Sequence, residues 1–184
     1  MYATYTYIMF DSILYFSRKD CKYSKNLKLF LKKRTKKLYC IESNKTNEKI
    51  NLNKYLKKNY SYIICFRSFY ILKKKLIKKA SLAALNFHPG TPNFRGIGCV
   101  NYALYNKSKF YGSTCHLVEE KVDNGKILDI KKFKLRLKDT VESTLAKTHI
   151  IMLKQAKLIL NKLLKNENNL KKLLNKNKKI KWSG

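Results

Sequence analysis

The sequence predicts an α/β sandwich, a mostly parallel sheet with crossover helices packed on its faces. Three observations carry this. From Ser12 to Phe87, short runs dense in β-branched and aromatic residues alternate with helical stretches, and such alternation builds βαβ units and a parallel sheet. The chain has 184 residues, 45% of them hydrophobic, enough for one domain to bury a core without staples. Its turn-forming residues gather in one stretch, 81–125, which holds both prolines, five of the six glycines and two of the three histidines. A chain that concentrates turn formers beside His, Asn and Asp builds a shaped loop that presents polar groups.

Residues 1–10 read as a Tyr-rich extension before the domain. Ser12–Phe16 is an apolar run fitting a buried strand. Asp20 is placed to cap a helix over 21–33, with Leu27, Phe30 and Leu31 on its apolar face. A second strand follows at 38–41, a polar loop at 43–49 and a short helix at 51–58. Tyr60–Phe66 has the β-branched and aromatic density of a central strand. A helix over 71–79 and a strand over 82–87 follow. The connections 66–72 and 86–98 then both leave strand carboxyl ends, where sheets of this kind gather ligands, and should face one crevice. Gly98–Asn106 reads as a short helix, and 111–118 and 126–135 as strands joined through 119–125. Asp139 and Glu142 have the spacing of a capping box. The helix they open carries Val141, Leu145, Met152, Ala156, Ile159 and Leu163 as a core-facing stripe. The expected domain is 1–165, and 166–184 reads as a basic, low-complexity tail with too few apolar residues for a core of its own.

Forty-two Lys and Arg against 11 Asp and Glu give a formal charge of +31. Only five of the cations are arginine, and Lys, Asn, Ile, Tyr and Phe are enriched together. This is the pattern of an AT-rich coding sequence. A base-reading surface would instead favour arginine forks interleaved with aromatics on one face. The charge nonetheless suits an anionic substrate. The five cysteines are scattered without a CxxC pair, which argues against zinc and against a complete disulfide framework. No apolar run reaches the ~18 residues of a membrane span. The start lacks the basic region and small-residue cleavage site of a signal peptide, so a cytoplasmic location is expected.

Taken singly, the polar residues of 81–125 have ordinary roles. Asn86 can cap a turn and His88 can be a solvated loop residue. Asp123 can be plain turn chemistry, His116 a core histidine and His149 a structural one. Their order is more specific. Asn86-x-His88-Pro89-Gly90-x-Pro92-x-x-Arg95-Gly96 is followed by Tyr111-Gly112-x-Thr114-x-His116 and then Val122-Asp123-x-Gly125-x-Ile127. Three separated signatures in this order, over about 60–150, closely resemble the formyltransferase family, whose members act on glycinamide ribonucleotide, methionyl-tRNA or nucleotide sugars.

The resemblance implies a Rossmann-like, three-layer sandwich with helices on both faces of the sheet, 10-formyltetrahydrofolate as co-substrate and no metal. It matches Asn86, His88 and Asp123 to the family's catalytic trio and gives His116 and Gly125 supporting roles. Phe66, Arg67, Ser68, Phe69, Tyr70, Ile71 and Leu72 match the segment lining the pterin pocket. Formyl passes directly from folate to an amine, so no nucleophilic Ser or Cys is needed. The place of the purine enzymes' glycine-rich phosphate loop reads Phe16-Ser17-Arg18-Lys19-Asp20-Cys21, which disfavours glycinamide ribonucleotide. The methionyl-tRNA enzymes carry a further C-terminal domain for which the sequence has no room, while Trp182-Ser183-Gly184 resembles an internal segment of some relatives that continues beyond it. The expected acceptor is therefore a small primary amine on a nucleotide-linked sugar, with contacts in 16–21 and 94–108. Methionyl-tRNA is the alternative acceptor, and a basic RNA-binding protein with a retired site is the alternative outside enzymes.

Overall fold

A computed structural model describes residues 9–46 and 48–183. The Tyr-rich stretch 1–8, most of the expected extension, lies outside the described residues, as does Gly184. In chain order the elements are β1 (Phe10–Arg18), α1 (Lys22–Lys32), β2 (Thr35–Ser43), α2 (Asn53–Leu56), β3 (Tyr60–Phe66) and α3 (Lys74–Ile77). They continue with β4 (Ala80–His88), α4 (Cys99–Tyr105), β5 (Phe110–Leu117), β6 (Ile127–Lys134), α5 (Val141–Lys165) and α6 (Asn168–Lys176). The strands form one sheet in the order β2-β1-β3-β4-β5-β6. β1 to β4 run parallel, β5 runs antiparallel to β4, and β6 antiparallel to β5.

Strand alternation divides the interior in two. One face buries Ile13, Tyr15, Tyr62, Ile64, Phe66, Leu85 and Phe87 against Leu27 and Leu31 of α1 and Met152, Ala156, Ile159, Leu160 and Leu163 of α5. The opposite face buries Leu14, Phe16, Ile41, Ile63, Cys65 and Ala84 against Leu72 and Leu76, with Tyr55 and Leu56 of α2 beside them. Central strands covered on both sides are apolar almost throughout, which is why 62–66 within Tyr60–Phe66 reads as an unbroken run. A third cluster joins Cys99, Val100 and Ala103 of α4 to Tyr111, with Val141 and Leu145 packed on it. The stripe expected on α5 is therefore shared between two clusters.

Three local expectations are corrected. Asp20 does not cap α1: Cys21 is the N-cap residue, without a side-chain cap bond. Asp20 instead takes φ 51 in the tight turn after β1, a backbone region that Asp tolerates better than most residues, and pairs with Lys25 at 3.4 Å. The capping box on α5 lies one residue later than expected. Ser143 N–H donates to Thr140 Oγ1 at 3.2 Å, and Thr140 N–H donates to Ser143 Oγ at 3.0 Å. Asp139 is occupied by the Arg136 N–H at 2.9 Å and by Lys147. The helices expected over 51–58 and 71–79 shrink to one turn each, both without a side-chain cap. Such short lysine-rich segments have neither the caps nor the acidic i,i+4 partners that would extend them.

Beyond Lys165 the chain forms α6, whose Leu173 is buried in the larger core with Leu170 and Leu174 packed against it. Asn177 Nδ2 donates to the Leu128 carbonyl at 2.6 Å, tying the end of α6 to β6. The leucines of the basic stretch 166–184 thus lean on a core built by the rest of the chain.

Candidate active site

The site forms where β4 and β5 pair at the carboxyl end of the parallel strands. Leu85 and Phe87 of β4 belong to the larger core and Ala84 to the smaller one. The two-residue period therefore puts Asn86 and His88 on the face of Ala84. Cys115 of β5 is likewise in the larger core, which turns Thr114 and His116 to the same side. The antiparallel register sets Asn86 opposite His116 and His88 opposite Thr114. Thr114 Oγ1 donates to the Gly90 carbonyl at 2.7 Å and pins the Pro89–Pro92 loop over the pair. Gly90 is required there for space, since a Cβ would stand 2.6 Å from His88 Nε2 and 2.9 Å from the Phe94 oxygen.

Asp123 arrives from the β5–β6 connection with a left-handed backbone, φ 45. Two residues on, Gly125 is needed for space. A Cβ there would run into the Leu117 carbonyl, so only glycine lets the connection lie against β5. Gly125→Ala must push the turn away, which is expected to cost about 2 kcal/mol of overpacking. Melting curves measured alongside turnover should show both the destabilisation and a displaced Asp123.

The carboxylate of Asp123 is the hub. Its Oδ2 accepts from the Gly96 N–H at 3.0 Å and lies 3.1 Å from His88 Nδ1. Its Oδ1 accepts from Asn86 Nδ2 at 3.3 Å and lies 3.3 Å from His116 Nε2. His88 is 3% exposed and Asp123 6%, so an unpartnered charge on either would be costly. On the far side of the ring, His88 Nε2 lies 2.8 Å from the Phe94 carbonyl oxygen. Both nitrogens face acceptors and both must carry hydrogen, which makes His88 an imidazolium. Burial alone would push this imidazole down, but the Asp123 carboxylate and, to a lesser degree, Cys99 push it up to about 10. Burial likewise works against the Asp123 charge, yet His116 and His88 hold the carboxyl well below the usual carboxylate range. His116 Nδ1 sits 2.7 Å from the Leu117 carbonyl, and its Nε2 lies 3.1 Å from Asn86 Nδ2.

The six residues Asn86, His88, His116, Asp123, Gly96 and Phe94 therefore form one hydrogen-bonded group. Behind His88, the Tyr111 hydroxyl donates to the Pro89 carbonyl at 2.6 Å and lies 2.9 Å from Cys99 Sγ. Burial raises the Cys99 thiol, but His88 and Tyr111 bring it below its ordinary value. His149 is remote from this group. Burial, with the charges of Arg67 and Arg18, pushes it down to about 4, and it packs 5.4 Å from the Tyr23 ring.

Segment 66–72 leaves β3 level with the site, because Cys65 and Phe66 pair in register with Asn86 and Phe87. Its side chains diverge. Phe66 is buried against Phe87 with centroids 6.1 Å apart, Tyr70 stacks on Phe16 at 5.4 Å, and Leu72 is core. Arg67, at φ 55, turns back so that Nη1 donates to Cys21 Sγ at 3.2 Å. Phe69 lies under the Arg18 guanidinium at 4.9 Å, and its N–H donates to Ser43 Oγ at 3.3 Å. Ser68 Oγ accepts from the Tyr70 N–H at 3.0 Å, and Ile71 is exposed. No strand or helix consumes the backbone of 68–72.

Sequence reasoning missed four contributors. The Phe94 carbonyl and Gly96 N–H are backbone groups, and Cys99 reads as an ordinary core thiol. The fourth is Trp182, whose indole lies edge-on to His116 at 4.9 Å and to His88 at 5.8 Å. A lone tryptophan in a lysine-rich stretch was the one available signal.

Residues 12–159 match the model of the formyl transferase family. The chain belongs to this family. Among curated relatives, the bifunctional polymyxin resistance protein ArnA of Wigglesworthia glossinidia brevipalpis is 35% identical over 83 residues, which are 44% of this chain and 13% of that protein. Methionyl-tRNA formyltransferase of Finegoldia magna is 32% identical over 80 residues, 43% of this chain and 26% of that one. The chain thus matches about a quarter or less of the length of these relatives. Among solved structures, the N-formyltransferase of Helicobacter canadensis, in complex with folinic acid and dTDP-3-aminofucose, superposes with a TM-score of 0.69 at 16% identity. The superposition covers 86% of this chain and 65% of that one. This likeness shows the shared Rossmann-like fold.

Proposed function

We propose that this protein transfers a formyl group from 10-formyltetrahydrofolate to the primary amine of a nucleotide-linked amino sugar. The observation that carries the reading is the buried His88–Asp123 pair, 3.1 Å apart, with the Asn86 amide 3.3 Å from the same carboxylate. In formyl transfer an amine attacks the formyl carbon and negative charge gathers on the formyl oxygen. Such a site needs fixed donors for that oxygen and a base for the proton the amine loses. Asn86 supplies an amide N–H. His88 supplies a charged ring N–H once Nε2 exchanges the Phe94 carbonyl for the substrate oxygen. Asp123 holds His88 charged and oriented, and it takes the amine's proton directly or through one water.

The folate supplies the formyl carbon and leaves as the deformylated amine, its nitrogen taking up the proton that the acceptor amine gave to Asp123. Segment 68–72 fits its pterin ring, since its backbone is free of strand and helix pairing and β3, which it follows, ends level with Asn86. Phe66, Tyr70 and Leu72 are committed to packing, so they would hold that edge in place while backbone groups bind the ring. The Helicobacter relative's complex with folinic acid and a dTDP-amino sugar supports both the donor and the acceptor class. Ser17–Cys21 lacks the glycines of a phosphate loop, which supports an acceptor other than glycinamide ribonucleotide.

The test is release of tetrahydrofolate from 10-formyltetrahydrofolate with a panel of amino-sugar nucleotides and methionyl-tRNA. Release dependent on an amino-sugar nucleotide is expected. Release with methionyl-tRNA alone would move the acceptor to tRNA. A protein that neither releases nor binds the folate would overturn the reading.

A further inference from the structure

Trp182 stands on the catalytic group from the far end of the sequence. It is the only tryptophan of the chain, and four contacts fix it. Its Nε1–H donates to the Gly125 carbonyl at 2.8 Å, in the turn that carries Asp123. Its ring meets the imidazole of His116 at 86° and that of His88 at 74°. The Arg95 guanidinium lies 6.0 Å from its ring centroid, and Arg95 Nη1 donates to Asn124 Oδ1 at 3.2 Å. The next residue fastens the segment to the other loop. Ser183 N–H donates to the Pro92 carbonyl at 3.2 Å, and Ser183 Oγ donates to Asn93 Oδ1 at 3.1 Å. Residues 182–183 thus bridge the loop that follows His88 and the turn that carries Asp123. Apart from this bridge, the two loops are joined by Gly96–Asp123 and Arg95–Asn124.

We propose that Trp182 is a positioning residue for formyl transfer: its indole walls the His88 and His116 rings from solvent and, through the Gly125 carbonyl, holds Asp123 in line with His88. The inference rests on the proposed function. Water beside either imidazole would screen the His88–Asp123 attraction and let the carboxylate swing on its turn. The wall also explains how a turn with exposed residues on both sides of Asp123 keeps a carboxylate that is only 6% exposed. The charged and titratable groups facing the same volume are Asp123 and Arg95 from the loops, His116 and Tyr111 from β5, and Cys99 from α4. Among these Asp123 is the group that sets the charge of His88.

The experiment begins with the parent protein. No transfer to any acceptor would sink the function reading, and the question of Trp182 would fall with it. With an active parent, Trp182→Phe keeps the wall and loses the N–H, while Trp182→Ala loses both. Turnover is expected to fall about 10-fold in the first and about 100-fold in the second, with donor KM changing less than threefold. The basic limb of the kcat–pH profile should shift in Trp182→Ala, because water both relieves the burial that pushes the His88 imidazole down and screens the Asp123 carboxylate that pushes it up. Unchanged kcat and an unchanged pH profile in folded variants would overturn the proposal. Should the variants fail to fold, the parent's own emission is the second measurement. A charged imidazole quenches a neighbouring indole, so His88→Ala should brighten the single tryptophan at pH 7. Emission identical to the parent would equally overturn it.

Discussion

In the His88→Ala protein, turnover is expected to fall about a thousandfold while the folate donor binds within about threefold of the parent. The asymmetry follows from geometry. His88 touches Asp123, the Phe94 carbonyl and the edge of Trp182, whereas the segment proposed for the pterin leaves β3, the neighbouring strand. Removing the imidazole takes away a charged donor that matters only when the formyl oxygen becomes negative, so the loss should appear in kcat and not in donor affinity. Losing the imidazole also leaves the buried Asp123 carboxylate without its charged partner, so a lower Tm is expected beside the loss of turnover. Single-turnover formation of tetrahydrofolate, read beside a donor-binding titration, separates the two quantities. Equal rates in mutant and parent would remove His88 from the chemistry. A parallel loss of binding would instead make it part of the donor pocket.

The legible part of this molecule was the part governed by periodicity and by order along the chain. Tyr60–Phe66 could be recognised as central because both faces of a parallel strand are buried. The face shared by Asn86, His88 and His116 follows from the period of two once β4 and β5 pair, and Asn86 and His116 meet as direct cross-strand partners. The extents of α2 and α3 were not legible, because one-turn helices are set by the chain around them and not by their own residues. The capping box slipped by one residue for a related reason: Asp139 has the right spacing from Glu142, but Lys147 and the Arg136 N–H hold it elsewhere. The reason for glycine at position 125 was not legible either. Its necessity is the close passage of Leu117, and such a contact between distant backbone groups leaves no mark in local sequence. Trp182 was least legible of all, since nothing in Ile180-Lys181-Trp182 foretells that α6 and the Asn177–Leu128 hydrogen bond will carry it to the site.

Asp123→Asn should be the most damaging isosteric change in the protein, and pH gives it a distinctive signature. The substitution keeps the shape but leaves one acceptor oxygen where two now serve Gly96, Asn86 and the histidine rings, and it removes the countercharge of a buried imidazolium. Breaking one member of such a pair costs about 3 kcal/mol or more, equivalent to about 6–12 °C in Tm for a domain of this size. His88 can escape that cost only by releasing its proton. The parent should behave differently on the two flanks of pH. The folded pKa of His88 is raised, so its contribution is complete below the unfolded value of about 6.5 and is lost as pH climbs towards about 10. The folded pKa of Asp123 is depressed, so its contribution is complete above the unfolded value of about 3.9 and is lost as pH falls below it. Both flanks describe the same ion pair, which places its full effect on a plateau between about pH 4 and pH 6.5. In Asp123→Asn that plateau should flatten, so the Tm difference from the parent is largest at pH 6 and shrinks towards pH 10. Turnover should fall about a thousandfold as the orienting charge and the proton acceptor disappear together. Melting curves from pH 4 to pH 10 on both proteins test this, and a constant Tm difference across that range would mean that Asp123 acts as a hydrogen-bonded strut and not as the partner of a charged histidine.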